Sequence, residues 1–295
     1  MKKVIYEGSG VALVTPFDEN GKVNYPVLEK LVEFHIENGT DAIVSVATTG
    51  EGATLSTEEH VEAAKFTIDK VAGRIPVIVS TGSNDTAYAV ELSQEAEKIG
   101  ADGLLLVTPY YNKTSQKGLV ESFTYIADRV NLPCILYNVP SRTGMTIQPK
   151  TYFELSKHPN IVATKEASGS LALAMETMNL CGDDLTIYSG EDYLTYSLMS
   201  LGAKGVISVF ANALPRELHN LCKACLDGDY KTARDMNLKY FELMQGFFMD
   251  VNPIPIKEAM NMMGMNVGNC RLPLTNMTDE NHLKLENMLK KYSLI

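Results

Sequence analysis

Short runs of apolar residues recur along the chain, each bounded by glycine, proline or polar residues. The runs are continuous rather than alternating between apolar and polar, which is the pattern of strands covered on both faces. Eight runs are predicted as strands on this basis: residues 11–14, 42–46, 76–79, 103–107, 134–137, 161–164, 186–188 and 205–209.

Amphipathic segments with helix start and stop signals lie between these runs. Ser56 and Glu59 have the spacing of a capping box before an apolar helical face, and Gly39 ends a helix that begins near Tyr25. Eight β-then-α units over roughly 225 residues fit a closed barrel better than a doubly wound sheet, which usually has fewer strands. The pattern therefore predicts an α/β fold, a (β/α)8 TIM barrel.

The strand pattern stops after about Gly228, and only helical patterns follow, in segments 230–249, 256–263 and 278–289. We therefore expect a (β/α)8 catalytic barrel in residues 1–228 and a C-terminal helical region in residues 229–295. The sequence leaves open whether this appendage is a separate domain or a cap on the barrel that also makes an oligomer contact.

The composition of the chain narrows the classes of function that it can have. The chain of 295 residues has 26 Lys+Arg against 36 Asp+Glu, a net charge of −10, which argues against binding nucleic acid or an anionic membrane. Five cysteines in so long a chain are expected to be reduced thiols, and no apolar run approaches the ~20 residues of a membrane span. We expect a soluble, cytoplasmic protein with a small-molecule partner, and the scattered histidines predict neither a metal site nor a cofactor.

Lys165 directly follows the apolar run 161–164. Burying an ammonium costs several kcal/mol unless the group is paired or gives up its proton. One interpretation is an ion pair with a neighbouring carboxylate such as Glu166. The other is chemical, because a desolvated, neutral amine can attack a carbonyl and form a Schiff base. Lys165 alone leaves both open.

Residues that bind anions or move protons follow other predicted strands. In TIM barrels the reactive groups gather at the C-terminal ends of the strands. Thr48 and Thr49, before a glycine-rich turn, offer hydroxyl and backbone N–H groups to a small carboxylate. Tyr110 and Tyr111 follow the fourth strand. These groups are therefore expected at the same mouth as the lysine.

The fifth strand ends in Tyr137 and is followed by Arg142, a fixed cation suited to a carboxylate. Taken singly, a tyrosine pair is most often rim packing and such an arginine a surface ion pair. A hydroxyl, a phenol and an amine at one mouth, however, would supply a nucleophile and a proton relay together. Their joint placement favours an active site.

Five short sequence motifs, at strand ends and in the C-terminal region, resemble those of a known family. They are Thr-Thr-Gly-Glu (48–51), Thr-Pro-Tyr-Tyr-Asn (108–112), Tyr-Asn-Val-Pro-Ser-Arg-Thr-Gly (137–144), Lys-Glu-Ala-Ser-Gly (165–169) and Asn-Pro-Ile-Pro-Ile-Lys (252–257). In this order and spacing, from Ser9 to the C-terminus, the chain resembles the dihydrodipicolinate synthase family of class I pyruvate-dependent aldolases.

The resemblance implies a Schiff-base mechanism in which Lys165 condenses with pyruvate. The enamine then attacks L-aspartate 4-semialdehyde to give 4-hydroxy-tetrahydrodipicolinate, the first committed step of diaminopimelate and lysine biosynthesis. Thr49, Tyr137 and Tyr111 would form the proton relay, with Tyr111 lent by a neighbouring subunit. The family's usual state implies a homotetramer, a dimer of dimers, although dimers also occur in the family and the sequence does not choose between the two.

Substrate contacts are implied in the same way. Thr48 and Thr49 would hold the pyruvate carboxylate, and Arg142 would receive the carboxylate of the semialdehyde. The backbone carbonyls of Gly190 and Ile207 would line the lysine pocket.

The family's feedback site for lysine is matched in part. Ala53, His60, Asn84 and Tyr110 stand at matching positions. Three positions depart from the family: Gly52 stands where a serine is common, Thr57 where a histidine can occur, and Tyr88 where an acidic residue is expected. Tyr88 brings no charge to meet the ammonium of the effector. We expect weak or absent inhibition by lysine.

Two other functions remain to be weighed. N-acetylneuraminate lyase, or a keto-deoxy-sugar-acid aldolase of the same superfamily, would share Lys165 and Tyr137, whereas Thr48, Arg142 and the tyrosine pair favour the synthase. A non-catalytic scaffold that merely retains the barrel would have no need for these cooperating polar groups.

Overall fold

The computed structural model describes residue 2 and residues 4–295. Eight parallel strands close into a barrel in chain order, and β8 pairs with β1. The strands are β1 (Gly8–Ala12), β2 (Ala42–Ser45), β3 (Val77–Ser80), β4 (Gly103–Val107), β5 (Cys134–Asn138), β6 (Ile161–Glu166), β7 (Thr186–Ser189) and β8 (Gly205–Ser208).

Helices follow the strands and form the outer layer. They are α1 (Tyr25–Glu37), α2 (Thr57–Val71), α3 (Thr86–Lys98), α4 (Gln116–Ala127), α5 (Pro140–Thr143), α6 (Pro149–Leu155), α7 (Leu171–Cys181), α8 (Thr195–Ser200), α9 (Pro215–Leu226), α10 (Tyr230–Gly246), α11 (Ile254–Met262) and α12 (Asp279–Lys291). The capping box of Ser56 and Glu59 is present at the start of α2. The prediction of a (β/α)8 TIM barrel with C-terminal helices is confirmed.

Most strand boundaries differ by one residue from those predicted, and those of β1 and β6 differ by more. β1 begins at Gly8 rather than residue 11, because its glycines are required by close packing: a Cβ on Gly10 would lie 2.8 Å from Cζ of Tyr6. In the sequence these glycines imitate a loop. β6 continues through Glu166, so Lys165 lies within the strand rather than after it.

Side chains fill the barrel from its N-terminal end. Tyr6, just before β1, stacks on Tyr188 of β7 with ring centroids 4.5 Å apart, and the Tyr188 hydroxyl donates to the Tyr6 carbonyl at 2.8 Å. Apolar residues of the other strands, including Val44, Leu105 and Ile135, pack in the same cluster. Because the interior is filled in this way, the C-terminal mouth is left as the place for a ligand.

The C-terminal helices pack on the barrel through a shared core. One cluster of buried residues joins Val11 and Ile43 of the barrel strands to Met244, Ile256 and Leu285 of the last three helices. All five cysteines carry free thiols. Across residue 2 and residues 4–295, no helix has the length and apolar character needed to cross a membrane.

Candidate active site

Lys165 and Tyr137 form the centre of the candidate site. They lie opposite each other on the neighbouring strands β6 and β5, and the Lys165 Nζ is 4.3 Å from the centroid of the Tyr137 ring. Lys165 is only 4% exposed, and its ammonium makes no ion pair with any carboxylate in the described part of the chain. Its close contact is with the face of a phenol ring, an attraction of cation–π type.

Glu166 lies on the other side of the same strand. Its carboxylate accepts hydrogen bonds from Asn138 Nδ2 at 3.0 Å, the Ser168 N–H at 2.8 Å and the Tyr152 hydroxyl at 3.3 Å. Successive side chains of a strand point to opposite faces, so this carboxylate cannot meet Lys165. The interpretation of Lys165 as the partner of Glu166 is wrong.

A cavity of about 310 Å³ opens at the C-terminal ends of the strands. It brings together six residues that the sequence places at the site, namely Thr48, Thr49, Tyr137, Arg142, Lys165 and Gly190. Its wall also contains residues that the sequence did not assign to the site, among them Glu191, Phe248, Asp250 and Asn252. The volume suits a small molecule.

Gly190 is required by the stem of the lysine. A Cβ at this position would clash with the Ala167 Cβ at 2.6 Å and lie only 3.1 Å from the Lys165 Cγ, so a side chain would displace Ala167 and crowd the stem of Lys165. Ile207 of β8 is buried in the barrel interior and its side chain is not part of the cavity wall. The part of its carbonyl in the lysine pocket stays a prediction.

Thr49 is buried beside the cavity and is held by the C-terminal region. The Asn252 Nδ2 donates a hydrogen bond to its Oγ1 at 3.0 Å. Thr48, one residue earlier, is half-buried, and its carbonyl accepts from the Glu51 N–H at 3.1 Å, which closes the turn. The two threonines therefore lie on a short turn whose position depends on residues far away in the sequence.

A buried ion pair anchors that turn from behind. The Lys257 Nζ of α11 lies 2.8 Å from the Glu51 Oε1, and both side chains are almost completely buried. The other carboxylate oxygen accepts from the Arg271 N–H at 2.8 Å. Glu51 has a φ of 54°, a left-handed conformation that a non-glycine residue adopts only when its surroundings enforce it. The C-terminal region thus holds the strand-two turn in place.

Arg142 lies in the short helix α5 at the rim of the cavity. Its side chain is exposed, and its Nη2 donates to the backbone carbonyl of Asn252 at 3.1 Å. The remaining guanidinium donors are available for a ligand carboxylate.

Tyr111 is not brought to this cavity within one chain. It is 94% exposed, has a φ of 67°, and does not contribute to the cavity wall. Any contact of this phenol with the relay must therefore come from another copy of the chain.

Two carboxylates that the sequence analysis missed follow β7. Burial and the adjacent Asp192 raise the pKa of Glu191 to about 7, against the opposing charges of Lys165 and Arg142. Asp192 is buried and accepts from the Phe210 N–H at 2.9 Å, which fixes the loop after β8. A pair of acidic residues that begins two positions after the end of a strand is the signal that could have found them.

The residues of the predicted effector site have different surroundings. Asn84 and Tyr110 are neighbours, with the Asn84 Nδ2 donating to the Tyr110 carbonyl at 3.2 Å, and Ala53 is exposed. His60 is buried, its Nε2 lies 2.8 Å from the Ser80 carbonyl, and burial lowers its pKa.

Two of the departures from the family's feedback site contact each other. The hydroxyls of Thr57 and Tyr88 lie 2.8 Å apart. The phenol at the position where an acidic residue was expected is therefore paired with the hydroxyl of Thr57.

Elsewhere the described residues offer little competing chemistry. Outside the strand mouth, a larger surface depression of about 620 Å³ is lined by residues of the last helices such as Leu238, Phe241 and Lys291, and none of the predicted site residues lies there. No group of three or more His, Cys, Asp or Glu side chains within residue 2 and residues 4–295 is arranged to hold a metal ion.

The fold and its mouth define a class: a (β/α)8 barrel with an unpaired, buried lysine at the centre of its cavity, the arrangement of Schiff-base-forming enzymes. The model of the dihydrodipicolinate synthetase family matches residues 6–292. The chain belongs to this family.

Individual relatives agree over the full length. The 4-hydroxy-tetrahydrodipicolinate synthase of Thermoanaerobacter sp. (strain X514) is 53% identical over 292 residues, covering 99% of this chain and 98% of that protein. The crystal structure of dihydrodipicolinate synthase from Aquifex aeolicus is 47% identical with a TM-score of 0.95, covering 98% of each chain. The chloride-inhibited dihydrodipicolinate synthase from Acinetobacter baumannii, complexed with pyruvate, is 43% identical with a TM-score of 0.97, covering 99% of this chain and 100% of that one.

Proposed function

We propose that the chain condenses pyruvate with L-aspartate 4-semialdehyde to give 4-hydroxy-tetrahydrodipicolinate. The observation that carries the proposal is the buried Lys165 amine, free of ion pairs within the described residues, at the centre of a small cavity. The activity named for relatives at about half identity, and the pyruvate in the Acinetobacter baumannii structure, support the same substrates.

The chemistry follows from the free amine. The neutral Lys165 nitrogen attacks the keto carbon of pyruvate, and water leaves to give an imine. Loss of a methyl proton gives the enamine, whose carbon attacks the aldehyde carbon of the semialdehyde. The aldehyde oxygen takes up a proton and becomes a hydroxyl group. The substrate's amino nitrogen then attacks the imine carbon, closes the ring and displaces Lys165. One water is released overall.

The cavity residues divide this work. Tyr137, against the lysine, transfers protons during imine formation, and Thr49 passes them on. Thr48 and Thr49 bind the pyruvate carboxylate, with the carbonyls of Gly190 and Ile207 lining the lysine pocket. Arg142 at the rim binds the second carboxylate.

We also propose that the relay is completed by Tyr111 of a second copy, in a homotetramer built as a dimer of dimers. The support is the 94% exposure of Tyr111 on a backbone that holds it in a left-handed conformation away from its own cavity. A monomer would then retain Lys165 but lack one phenol of the relay, and its turnover would be poor.

The test measures activity on the substrates of both candidate enzymes. A coupled assay with pyruvate and aspartate semialdehyde should give turnover that Arg142→Ala lowers by raising the KM for the semialdehyde, while the KM for pyruvate changes little. Exposed Arg129, which lies on the ring of Tyr125, provides the control variant Arg129→Ala, with unchanged kinetics. Cleavage of N-acetylneuraminate or a keto-deoxy sugar acid, without turnover of aspartate semialdehyde, would overturn the proposal.

A further inference from the structure

We propose that Glu191 binds the ammonium group of aspartate semialdehyde and takes up the proton that this group must lose before the ring closes. The inference rests on the proposed function and adds to it the group that recognises the nitrogen of the second substrate. Glu191 follows β7, and its side chain forms part of the cavity wall together with Lys165 and Arg142. It received no role from the sequence.

The first step is the position that the reaction demands of the substrate nitrogen. Aspartate semialdehyde carries its carboxylate and its ammonium on the same carbon, so a carboxylate bound by Arg142 brings the ammonium to the same side of the cavity. Ring closure then requires this nitrogen to reach the carbon that is bonded to the Lys165 nitrogen. The ammonium is therefore held between Lys165 and Arg142, where a carboxylate would bind it.

The second step is that Glu191 lies between these two cations. Burial and the adjacent Asp192 raise its pKa to about 7, and the positive charges of Lys165 and Arg142 both act against this rise. Both cations are thus within electrostatic reach of the Glu191 carboxylate, and all three side chains line one cavity. An ammonium held between Lys165 and Arg142 therefore lies next to this carboxylate.

The other acidic side chains near the lysine are less suited to the ammonium. Asp192 is not part of the cavity wall, and one of its oxygens accepts from two backbone N–H groups of the loop after β8, at 3.1 Å and 2.9 Å. Glu166 accepts its hydrogen bonds on the other face of β6. Asp250, in the cavity wall, has one oxygen engaged by the N–H of the next residue at 2.7 Å.

The third step is that the backbone of Glu191 is fixed while its carboxylate is free. The Ser189 hydroxyl donates to the Glu191 carbonyl at 2.7 Å, and the Leu194 N–H donates to the same carbonyl at 3.1 Å. The carboxylate itself makes no hydrogen bond and no ion pair within residue 2 and residues 4–295. A held backbone with a free carboxylate is suited to a group that binds a substrate and releases a product.

The fourth step is the proton balance of ring closure. An ammonium has no lone pair, so it first gives one proton to the Glu191 carboxylate. The neutral nitrogen bonds to the carbon of the protonated imine, and one of its protons moves to the Lys165 nitrogen. The bond between that carbon and the Lys165 nitrogen then breaks, Lys165 leaves as a neutral amine, and the last proton of the ring nitrogen goes to water. Glu191 returns its own proton to water after each turnover.

The test is Glu191→Gln, which keeps the shape of the side chain and removes its charge. We expect the KM for aspartate semialdehyde to rise about 10-fold, the effect of one charged hydrogen bond, and kcat to fall about 10²-fold through loss of the base. The KM for pyruvate and the borohydride-trapped pyruvate adduct on Lys165 should stay as in wild type. Glu191→Asp, which retains a carboxylate, should recover part of both losses.

Succinate semialdehyde separates recognition of the nitrogen from other effects. It has the same aldehyde and carboxylate but no amino group, so its inhibition constant against aspartate semialdehyde should not rise in Glu191→Gln. Equal weakening of both compounds would overturn the inference, because Glu191 would then act on the cavity or on Arg142. Selective weakening of aspartate semialdehyde in Asp250→Asn, and not in Glu191→Gln, would overturn it as well.

Glu19→Gln is the matched control. Glu19 is exposed in the loop between β1 and α1 and lies outside the cavity wall, so its kinetics should stay as in wild type. Unfolding by urea, measured alongside, shows whether each variant is folded. Equal kinetics for Glu191→Gln and this control would contradict the inference while wild-type turnover stands. Absence of turnover and of a pyruvate adduct in the wild type would instead overturn the proposed function.

Discussion

The chain buries two lysines, one in the wall of the cavity and one behind the turn after β2, and they differ in what their nitrogens touch. Lys257 is 2% exposed, and its Nζ lies 2.8 Å from the Glu51 Oε1, 2.9 Å from the Asn269 carbonyl and 3.2 Å from the Thr15 carbonyl. Lys165 is 4% exposed, and its Nζ contacts the Tyr137 ring. Burial alone therefore does not identify a reactive lysine; the freedom of its nitrogen does.

The two lysines also differ in their charged neighbours. Burial lowers the pKa of Lys257, and the charge and hydrogen bond of Glu51 act in the opposite direction. Lys165 has acidic neighbours in Glu191 and Asp192, whose pKa values it lowers, but neither forms an ion pair with it. One lysine anchors the turn that carries Thr49, and the other remains available to a carbonyl substrate.

Removing the free lysine should have the largest effect, and on activity alone. Lys165→Met should lower kcat by about 10⁴-fold or more, because no other group forms the imine. The free energy of unfolding should be unchanged or slightly higher, since a buried polar amine without an ion pair is replaced by an apolar side chain. Turnover in the coupled assay and urea unfolding measure the two. A large loss of stability would mean that this lysine, too, is structural.

Removing the paired lysine should act chiefly on stability. Lys257→Met leaves the Glu51 carboxylate buried without its cation and should cost about 3–5 kcal/mol in urea unfolding. Adding Glu51→Gln should recover part of the loss. Lys223→Met, which breaks the exposed pair of Lys223 with Asp227, is the control and should cost at most about 1 kcal/mol. A loss of stability for Lys257→Met no larger than that for Lys223→Met would contradict the structural role of Lys257.

A smaller effect is expected from the carboxyl near the free lysine. Glu191 has a pKa raised from 4.5 to about 7, so the folded chain binds more protons there than the unfolded chain between these values. Its contribution to stability is therefore greatest below pH 4.5 and is lost as the pH rises through about 7. Relative to Glu191→Gln, the wild type should lose stability over this window in urea unfolding at successive pH values. A constant difference between the two would refute the raised pKa.

The smallest effect concerns the amino acid lysine as a ligand. Thr57 and Tyr88 form a neutral pair at positions where the family's feedback site can carry charge, so millimolar L-lysine should leave turnover nearly unchanged. Tyr88→Glu should increase sensitivity to lysine, because it brings a carboxylate to this position. Strong inhibition of the wild type at low lysine would contradict the expectation.

Much of this arrangement could be predicted from local sequence. Continuous apolar runs between helix signals are enough to predict eight parallel strands, and the rule that reactive groups follow strand ends selects Thr49, Tyr137 and Lys165. The same rule, applied after β7, would have selected Glu191. The start of β1 was missed because glycines needed for close packing look like a loop.

The other omissions have a long-range cause. Asn252 reaches Thr49 across 203 residues of sequence, and Lys257 reaches Glu51 across 206. No periodicity or spacing reports such contacts, because they depend on how the C-terminal helices dock on the barrel. Tyr111 does not reach the cavity of its own chain, so no analysis of one chain places it there.

The most direct test compares the two buried lysines within one molecule. The protein is incubated with pyruvate, reduced with borohydride and mapped by mass spectrometry of its peptides. The reduced pyruvate adduct should be found on Lys165 and not on Lys257, although both lysines are buried. An adduct on Lys257, or none on Lys165 under conditions of turnover, would contradict the claim that the free nitrogen is the nucleophile.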